Sequence, residues 1–392
     1  MITVTEALDR LFTLVSPLDT EDVPLIAAQG RVLARPIVAR RDQPPFPASA
    51  MDGYAIRAAD AKAGTTLTVT GESAAGQRTG ATVTPGTAIR IFTGAPVPDG
   101  ADLVILQEDV IRSGNDIVIT EKTDTAIGAN IRPTGNDFRA GSTLTAPRRL
   151  SPADIALAAA MGHAKVTVTR RPDIALIATG NELVQPGENP GPDQIAASNS
   201  YGLHALLSRL GALPRLLPIA RDDLDSLAQS FTLAQGADLI VTIGGASVGD
   251  HDLVARAAAA AGMQPTFHKV AMRPGKPLMA GRLQGTALLG LPGNPVSAMV
   301  CGSIFLSPMV QVLLGHPAAP APRRSVPLAT PLAPNGPREH YLRARRTPDG
   351  VTAFSRQDSS LLTLLAEADC LIVQPANDPG RATGQMVDII EL

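Results

Sequence analysis

The segment Ala237–Val254, ADLIVTIGGASVGDHDLV, decides the fold. Its first half, LIVTI, is apolar apart from one threonine and rich in β-branched residues. A strand wetted on one side alternates polar and apolar residues; one that does not alternate is covered on both faces. The run ends at Gly244 and Gly245, passes Ser247, Gly249, Asp250 and Asp252, and enters the helical spacing of DLVARAAAAAG (252–262). Buried strand, glycine-rich turn and helix together make half of a β–α–β unit.

The neighbouring sequence repeats this grammar. DIALIATG (173–180) predicts a strand and SNSYGLHALLSRLG (198–211) a helix, with Leu203, Leu206, Leu207 and Leu210 on one face and Gly211 as its stop. PRLLPIA (214–220), PTFHKVAM (265–272) and TALLGLPG (286–293) predict further strands, and DLDSLAQSFTLAQ (223–235) a helix. A long helix is expected from Pro295 to Leu314, bent at Pro308. Alternation of this kind predicts a mostly parallel sheet with helices on both faces.

Outside this region the pattern changes. TVTEALDRLFTLV (3–15) has a helical apolar face, and Thr3 and Glu6 have capping-box spacing. Three prolines among residues 44–47 stop any helix near Pro47. TLTVTG (66–71), TAIRIFTG (87–94), ADLVILQED (101–109) and DIVIT (116–120) predict a small β module, and SPADIALAAAMG (151–162) returns to helix. GHPAAPAPRR (315–324) is linker-like, and a hairpin turn is expected at TPDG (347–350). The expected fold class is therefore α/β plus all-β modules. It is a multidomain chain with a central doubly wound, mostly parallel α/β domain (170–316). Around it lie a helical N-terminal region (1–48 and 139–169), an inserted β domain (49–138) and a C-terminal β domain (317–392).

Composition narrows the function. The 392 residues include 34 basic and 36 acidic side chains, no Trp, and 3% aromatics. A balanced charge with few aromatics argues against a nucleic-acid partner. No apolar run is expected to reach the roughly 18–20 residues that span a bilayer, and the N-terminus has no signal-like basic and apolar stretch. Cys301 and Cys370 sit in apolar windows and form no CxxC pattern. A reducing cytoplasm is the expected location.

In an open α/β sheet, ligands bind beyond the carboxyl ends of the strands. Here those ends carry ATGNEL (178–183), ARDD (220–223), IGGASVGDHD (243–252), MRPGKP (272–277) and LPGNPVS (291–297). Gly244, Gly245 and Gly249 let backbone N–H groups approach an anion, and Ser247 adds a hydroxyl. Lys269, Arg273 and Lys276 add positive charge, and Asn294 and Pro295 open a helix whose N-terminus attracts anions. Glu182, Asp222, Asp250 and Asp252 would repel a bare anion but suit Mg²⁺ bound together with a phosphate. The alternative for Asp222 and Asp250 is helix capping. No Walker loop, dinucleotide fingerprint or G-x-S-x-G elbow is present. His251 and His268 flank the loops without metal-ligand spacing. Ser49, Asp52 and Tyr54 lie in an unusual Pro/Gly-punctuated loop, and Thr93 ends a predicted strand.

Six segments in order, PASAMDGYAI, FTGAPVPDGADLVILQED, ATGNEL, IGGASVGDHD, KVAMRPGKP and LPGNPVSAMV, resemble the molybdopterin molybdenumtransferase family, which includes the gephyrin E domain. The resemblance runs almost end to end. It implies Mg²⁺-dependent insertion of molybdate into adenylylated molybdopterin, with release of AMP and formation of molybdenum cofactor. It also implies a cytoplasmic homodimer whose site is shared between subunits. An upstream pterin adenylyltransferase and downstream molybdoenzymes are the implied pathway partners, without membrane or nucleic acid.

The resemblance further implies that Asp52, Thr93 and Asp137 face the site from the partner subunit. Glu182, Asp222, Ser247, Asp250 and Asp252 would hold metal and pterin phosphate, with Glu182, Asp250 and Asp252 as the metal set. Lys269, Arg273, Lys276, Pro292, Pro295 and Ser297 would line the pterin and molybdate pocket. Arg338 or Arg343 would touch the oxyanion, near Ser359. Departures from the family pattern are Asn181 for an aspartate, His340 and Tyr341 for an acid and Phe, and Arg273 for lysine. The rival functions are pterin adenylyltransferase, a tungsten-inserting paralogue and a non-catalytic scaffold.

Overall fold

Six strands make the central sheet: Asp173–Ala178 (β1), Leu213–Leu216 (β2), Leu239–Ile243 (β3), Gln264–Lys269 (β4), Pro277–Leu283 (β6) and Thr286–Leu291 (β7). The two-residue strand Met272–Arg273 (β5) leaves it to join another sheet. The structure is a computed structural model that describes residues 1–120, 124–245 and 253–392. The spatial order is β2-β1-β3-β7-β6-β4, and only β6 runs against the rest. Strand β6 was not expected from the sequence. It forms a hairpin with β7 through Gln284 and Gly285, both at positive φ. That is the backbone a two-residue hairpin turn demands, written here without the Asn-Gly signal that usually marks it.

Side-chain alternation along β1 shows why the sheet needs two covers. Ile174 and Leu176 face a core shared with Ser198–Leu210 (α1), Pro295–Cys301 (α4) and Ser307–Leu313 (α5). Ala175 and Ile177 face the opposite core, with Leu227 and Phe231 of Leu224–Leu233 (α2) and Val254, Ala257 and Ala258 of Leu253–Ala260 (α3). Burying each large aliphatic side chain contributes about 1.5–3 kcal/mol. Gly211 ends α1 at φ 92°, as expected.

The Pro295–Leu313 helix corrects two expectations. At 19 residues and mean hydropathy 1.8 it is long and apolar enough to cross a membrane, yet 78% of its apolar window is buried inside the protein. Its composition is that of a helix surrounded by core. The irregularity lies one turn before Pro308, as a π-helical segment at Gly302–Leu306. Pro308 has no N–H to donate, and the widened turn before it relieves its ring.

The N-terminal helix Val4–Phe12 packs Val4, Ala7, Leu8 and Leu11 into the α/β core. Thr3 Oγ1 accepts the Glu6 N–H at 3.1 Å, but the Glu6 carboxylate turns to Arg10, so the reciprocal half of the capping box is not made. The rest of this region is less helical than expected. Thr20–Pro24, Lys165–Thr169, Val32–Leu33 and Arg148–Arg149 form a four-stranded sheet beside the helix Pro152–Ala160. These strands are two to five residues long, and Thr20–Pro24 buries Val23 alone, too little for periodicity to register.

Between them, Leu103–Leu106, Gly53–Ile56, Thr87–Ile91, Thr66–Ser73, Asp116–Ile119 and Val110–Ser113 form a six-stranded sheet in that order. A Cβ on Gly53 would meet the Ile105 carbonyl oxygen at 1.8 Å, so only glycine allows these strands to pair after Asp52. At the C-terminus, β5 pairs in parallel with Glu339–Thr347 (β8), followed by Cys370–Gln374 (β9), Met386–Glu391 and Arg324–Pro327. One face of that sheet, through Tyr341, Leu371 and Val373, joins the α/β core, and the other carries its own cluster.

Candidate active site

The ends of β1, β3 and β7 and the loop after β2 open into one cleft of about 800 Å³. It is lined by Thr179, Gly180 and Glu182 after β1, Asp222 after β2, Gly244 and Gly245 after β3, and Pro292, Gly293, Asn294 and Pro295 after β7. Pro277 at the start of β6 completes that edge. The geometry follows from the parallel register, since strands that start at one edge must end at the other.

At the floor, Gly244 and Gly245 have φ of +96° and +65°. A Cβ on Gly244 would lie 2.7 Å from the Thr179 carbonyl oxygen, and one on Gly245 would lie 2.1 Å from Val254 Cγ2. Both the backbone conformation and the space exclude a side chain. Thr179 is buried, and its hydroxyl has no hydrogen-bond partner among the described residues. Thr179 lines the cleft, but its hydroxyl is enclosed against the Gly244–Gly245 turn and is not open to a ligand.

Two helix N-termini open on the cleft. Ser198, Asn199 and Ser200 of α1 line it, and Ala197 before them has no side chain that can cap. Asn294 occupies the N-cap position of α4 as expected, but its side chain donates to Ser359 Oγ at 3.2 Å instead of capping. The first N–H groups of α1 therefore lack a side-chain cap at the cleft, while at α4 Pro295 has no N–H and the Val296 N–H goes to the Ser359 carbonyl; both ends carry partial positive charge. Asn199 Nδ2 also donates to the Gly293 carbonyl at 2.7 Å, tying the two helix starts together. The Ser198–Ser200 start and the wall of Leu183 and Ile195 were not foreseen. The wall is a parallel pairing of Leu183–Val184 with Ile195–Ala196, two residues to a strand.

Glu182 and Asp222 are exposed carboxylates on the wall. The capping alternative for Asp222 is overturned, because its neighbour Asp223 caps α2 by accepting the Ser226 N–H at 2.7 Å. Asp222 instead exchanges hydrogen bonds with Asn181. Its N–H donates to Asn181 Oδ1 at 3.2 Å, and Asp222 Oδ2 accepts the Asn181 N–H at 3.3 Å. Ser247, Gly249, Asp250 and Asp252, together with His251, lie outside the described residues. Among the described residues no cluster of three or more His, Cys, Asp or Glu is arranged for a metal.

The predicted cations sit beyond the cleft wall. Lys269 is the register partner of Pro277, and Lys276 precedes Pro277. Arg273 pairs in register with His340 of β8, and Arg338 is two residues earlier. None of Lys269, Arg273, Lys276 and Arg338 has an ion-pair partner among the described residues. Arg343 differs from the expectation of a ligand arginine. It is 1% exposed, and it donates from Nε and Nη2 to Gln357 Oε1 and from Nη1 to the Asp358 carbonyl. It thereby holds the 355–361 loop, whose Ser360 lines the cleft and whose Ser359 carbonyl accepts the Val296 N–H. Ser297 is buried within α4 and is not on the wall.

Asp52, Thr93 and Asp137 do not line this cleft. Asp52 Oδ1 accepts the Thr93 N–H at 2.7 Å and the Thr93 hydroxyl at 2.9 Å, which holds its carboxyl below the usual range. Arg90 anchors the loop, stacked 5.0 Å from the Tyr54 ring and 4.8 Å from the Phe92 ring and donating to the Gly53 carbonyl. Asp137 is exposed, and its N–H donates to the Gln43 carbonyl.

Known proteins match along the whole chain. Residues 2–162 match the MoeA N-terminal region (domain I and II), 175–312 a probable molybdopterin binding domain, and 325–392 the MoeA C-terminal region (domain IV). The chain is 36% identical over 384 residues to molybdopterin molybdenumtransferase 2 of Mycobacterium tuberculosis, covering 94% of each. It is 35% identical to molybdopterin molybdenumtransferase of a Nostoc species, covering all of this chain and 94% of the relative. The crystal structure of a molybdopterin biosynthesis MoeA protein from Pyrococcus horikoshii superposes with a TM-score of 0.85 at 28% identity, covering both chains fully. With cleft, cation rim and three consecutive family regions in agreement, the chain belongs to the MoeA family of molybdopterin molybdenumtransferases.

Proposed function

We propose that this cleft inserts molybdate into adenylylated molybdopterin, releasing AMP and giving molybdenum cofactor. The observation that carries the reading is the convergence of two helix N-termini and the Gly244–Gly245 turn on one cleft. Such a site offers uncharged donors to phosphate oxygens. The Leu183 and Ile195 wall suits a flat heterocycle. Lys269, Arg273, Lys276 and Arg338 supply unspent positive charge for a tetrahedral dianion. Catalysis then rests on positioning and on offsetting charge as the phosphoanhydride to AMP breaks.

The acids fit Mg²⁺ by donor chemistry, since Glu182 and Asp222 offer carboxylate oxygens and no soft ligand lines the cleft among the described residues. Glu182, Asp250 and Asp252 would hold the ion, which would neutralise phosphate charge. Asp222 and Ser247 would orient the pterin phosphate. Pro292, Pro295 and the buried Ser297 shape the α4 start, and Ser359 braces it.

Asp52, Thr93 and Asp137 would complete the site from a second copy of the chain in a cytoplasmic homodimer. The functional units are 1–48 with 139–169, 49–138, 170–316 and 317–392. Purified protein supplied with adenylylated molybdopterin, Mg²⁺ and molybdate should release AMP in a molybdate-dependent way, and Asp250→Ala should abolish this. ATP consumption would point to a pterin adenylyltransferase, preference for tungstate to the tungsten paralogue, and no turnover to a scaffold. Mixing inactive Asp52→Ala and Glu182→Ala subunits should restore part of the activity if the site is shared; no recovery would refute the sharing.

A further inference from the structure

His340 stands where a cation cluster is assembled across two sheets. Strand β5 leaves the α/β loop and pairs in parallel with β8, setting Arg273 opposite His340. Arg338 lies in the bend just before the strand and is one of the charges acting on His340. Gln374 of β9 is the partner on the other flank. The imidazole is 7% exposed, and neither ring nitrogen has a hydrogen-bond partner among the described residues.

The surrounding charges are of one sign. Burial, and after it the guanidinium groups of Arg273, Arg343 and Arg338, hold its pKa down at about 4. The nearby acids are committed elsewhere. Glu339 pairs with Arg323 and accepts the Tyr341 hydroxyl, and Asp358 accepts from Ser360. Asp378, behind Gln374, is bound to Arg381 and the Gly380 N–H. Gln374 itself donates to the Ala333 carbonyl. Cations whose neighbouring acids are engaged elsewhere are in place for an anion from outside.

We propose that His340 makes oxyanion binding proton-coupled: a dianion held by Arg273 and Arg338 draws one proton from solvent onto the imidazole, which then adds a third positive group to the site. This rests on the oxyanion reading of the cation rim. The empty cluster is expected to keep His340 neutral near pH 7. A dianion at the rim reverses the local potential and favours imidazolium. Affinity is then highest at lower pH and falls as pH rises through the raised value of the bound state, by up to about tenfold per pH unit for one proton.

Titrating the full chain with sodium molybdate by calorimetry at pH 6.5–8, in two buffers of different ionisation enthalpy, counts the protons taken up. The expected result is net uptake approaching one proton in the wild type, with binding but no uptake in His340→Gln. His268→Gln, on the neighbouring β4, should behave as wild type. If His340→Gln does not fold, the His340 ring carbon shift in the wild type, with and without molybdate, reads the same proton. Binding without proton uptake, or uptake that survives in His340→Gln, overturns this inference and leaves the oxyanion reading standing. No molybdate binding at either pH limit overturns both.

Discussion

Thr93 holds the carboxylate of Asp52 with two donors on one oxygen, its N–H at 2.7 Å and its hydroxyl at 2.9 Å. The backbone donor is the larger influence, followed by the hydroxyl, and both lower the Asp52 pKa. A carboxyl with a depressed folded-state value contributes stability above its unfolded value, about 3.9, and loses it as pH falls through the folded value. Thr93→Val removes the hydroxyl and keeps the N–H. The Asp52 carboxyl should then titrate nearer the ordinary value, followed by its carbon shift in NMR. An unmoved titration would show that the hydroxyl has no hold on it.

Thr179→Val should measure the cost of an enclosed, unpaired hydroxyl. The native hydroxyl is buried without a partner, a situation that costs about 1–3 kcal/mol. Its removal should leave urea stability unchanged or raised by about 1 kcal/mol. Thr242 supplies a second case. Its hydroxyl is also buried and unpartnered but does not line the cleft. Thr242→Val should raise stability in the same way, and a clear loss of stability in either variant would show that its hydroxyl has a partner.

Arg338 and Arg343 should part company in the same way. Arg343 is enclosed with Gln357 and the Asp358 carbonyl, so Arg343→Lys should lower stability by about 2–3 kcal/mol through donors lost to buried acceptors. The Arg338 side chain has no hydrogen-bond or ion-pair partner among the described residues. Arg338→Ala should keep the melting temperature and weaken molybdate binding. Thermal melts beside binding isotherms decide it; a stable Arg343→Lys would mean that the 355–361 loop is held otherwise.

Arg149 joins the N-terminal region to the α/β core. Its Nη1 donates to the Gly30 carbonyl at 2.8 Å and its Nη2 to the Leu210 carbonyl at 2.6 Å, at the end of α1. Arg149→Met keeps the apolar stem and removes both bonds, at a cost of about 1–3 kcal/mol. Limited proteolysis should then cut between residues 162 and 173 before the α/β core is touched. Unchanged proteolysis would show the junction to be held by packing alone.

The α/β core was legible because β1, β3 and β7 are apolar on both faces and their helices end in recognisable stops. The strand-end glycines and acids marked the cleft for the same reason, since parallel topology gathers those ends. Strand β6 escaped because its turn is Gln284-Gly285, and the short N-terminal strands because each buries too little to show a period. The α1 start escaped because Ala197 bears no capping side chain; the missing cap is the signal, and it shows only once the helix is placed. Arg343 and Arg338 are close in sequence, and only tertiary packing decides which one is enclosed.

The two-residue β5–β8 ladder has a consequence for how this protein can vary. Arg273 and His340 are adjacent because a loop of one body borrows an edge from another. An insertion or deletion in either segment would shift their registration and dismantle the charge cluster while both hydrophobic interiors stayed whole. Length around this seam is therefore under tighter constraint than its glycine- and proline-rich sequence suggests, and loss of function with an intact melt is the signature to look for there.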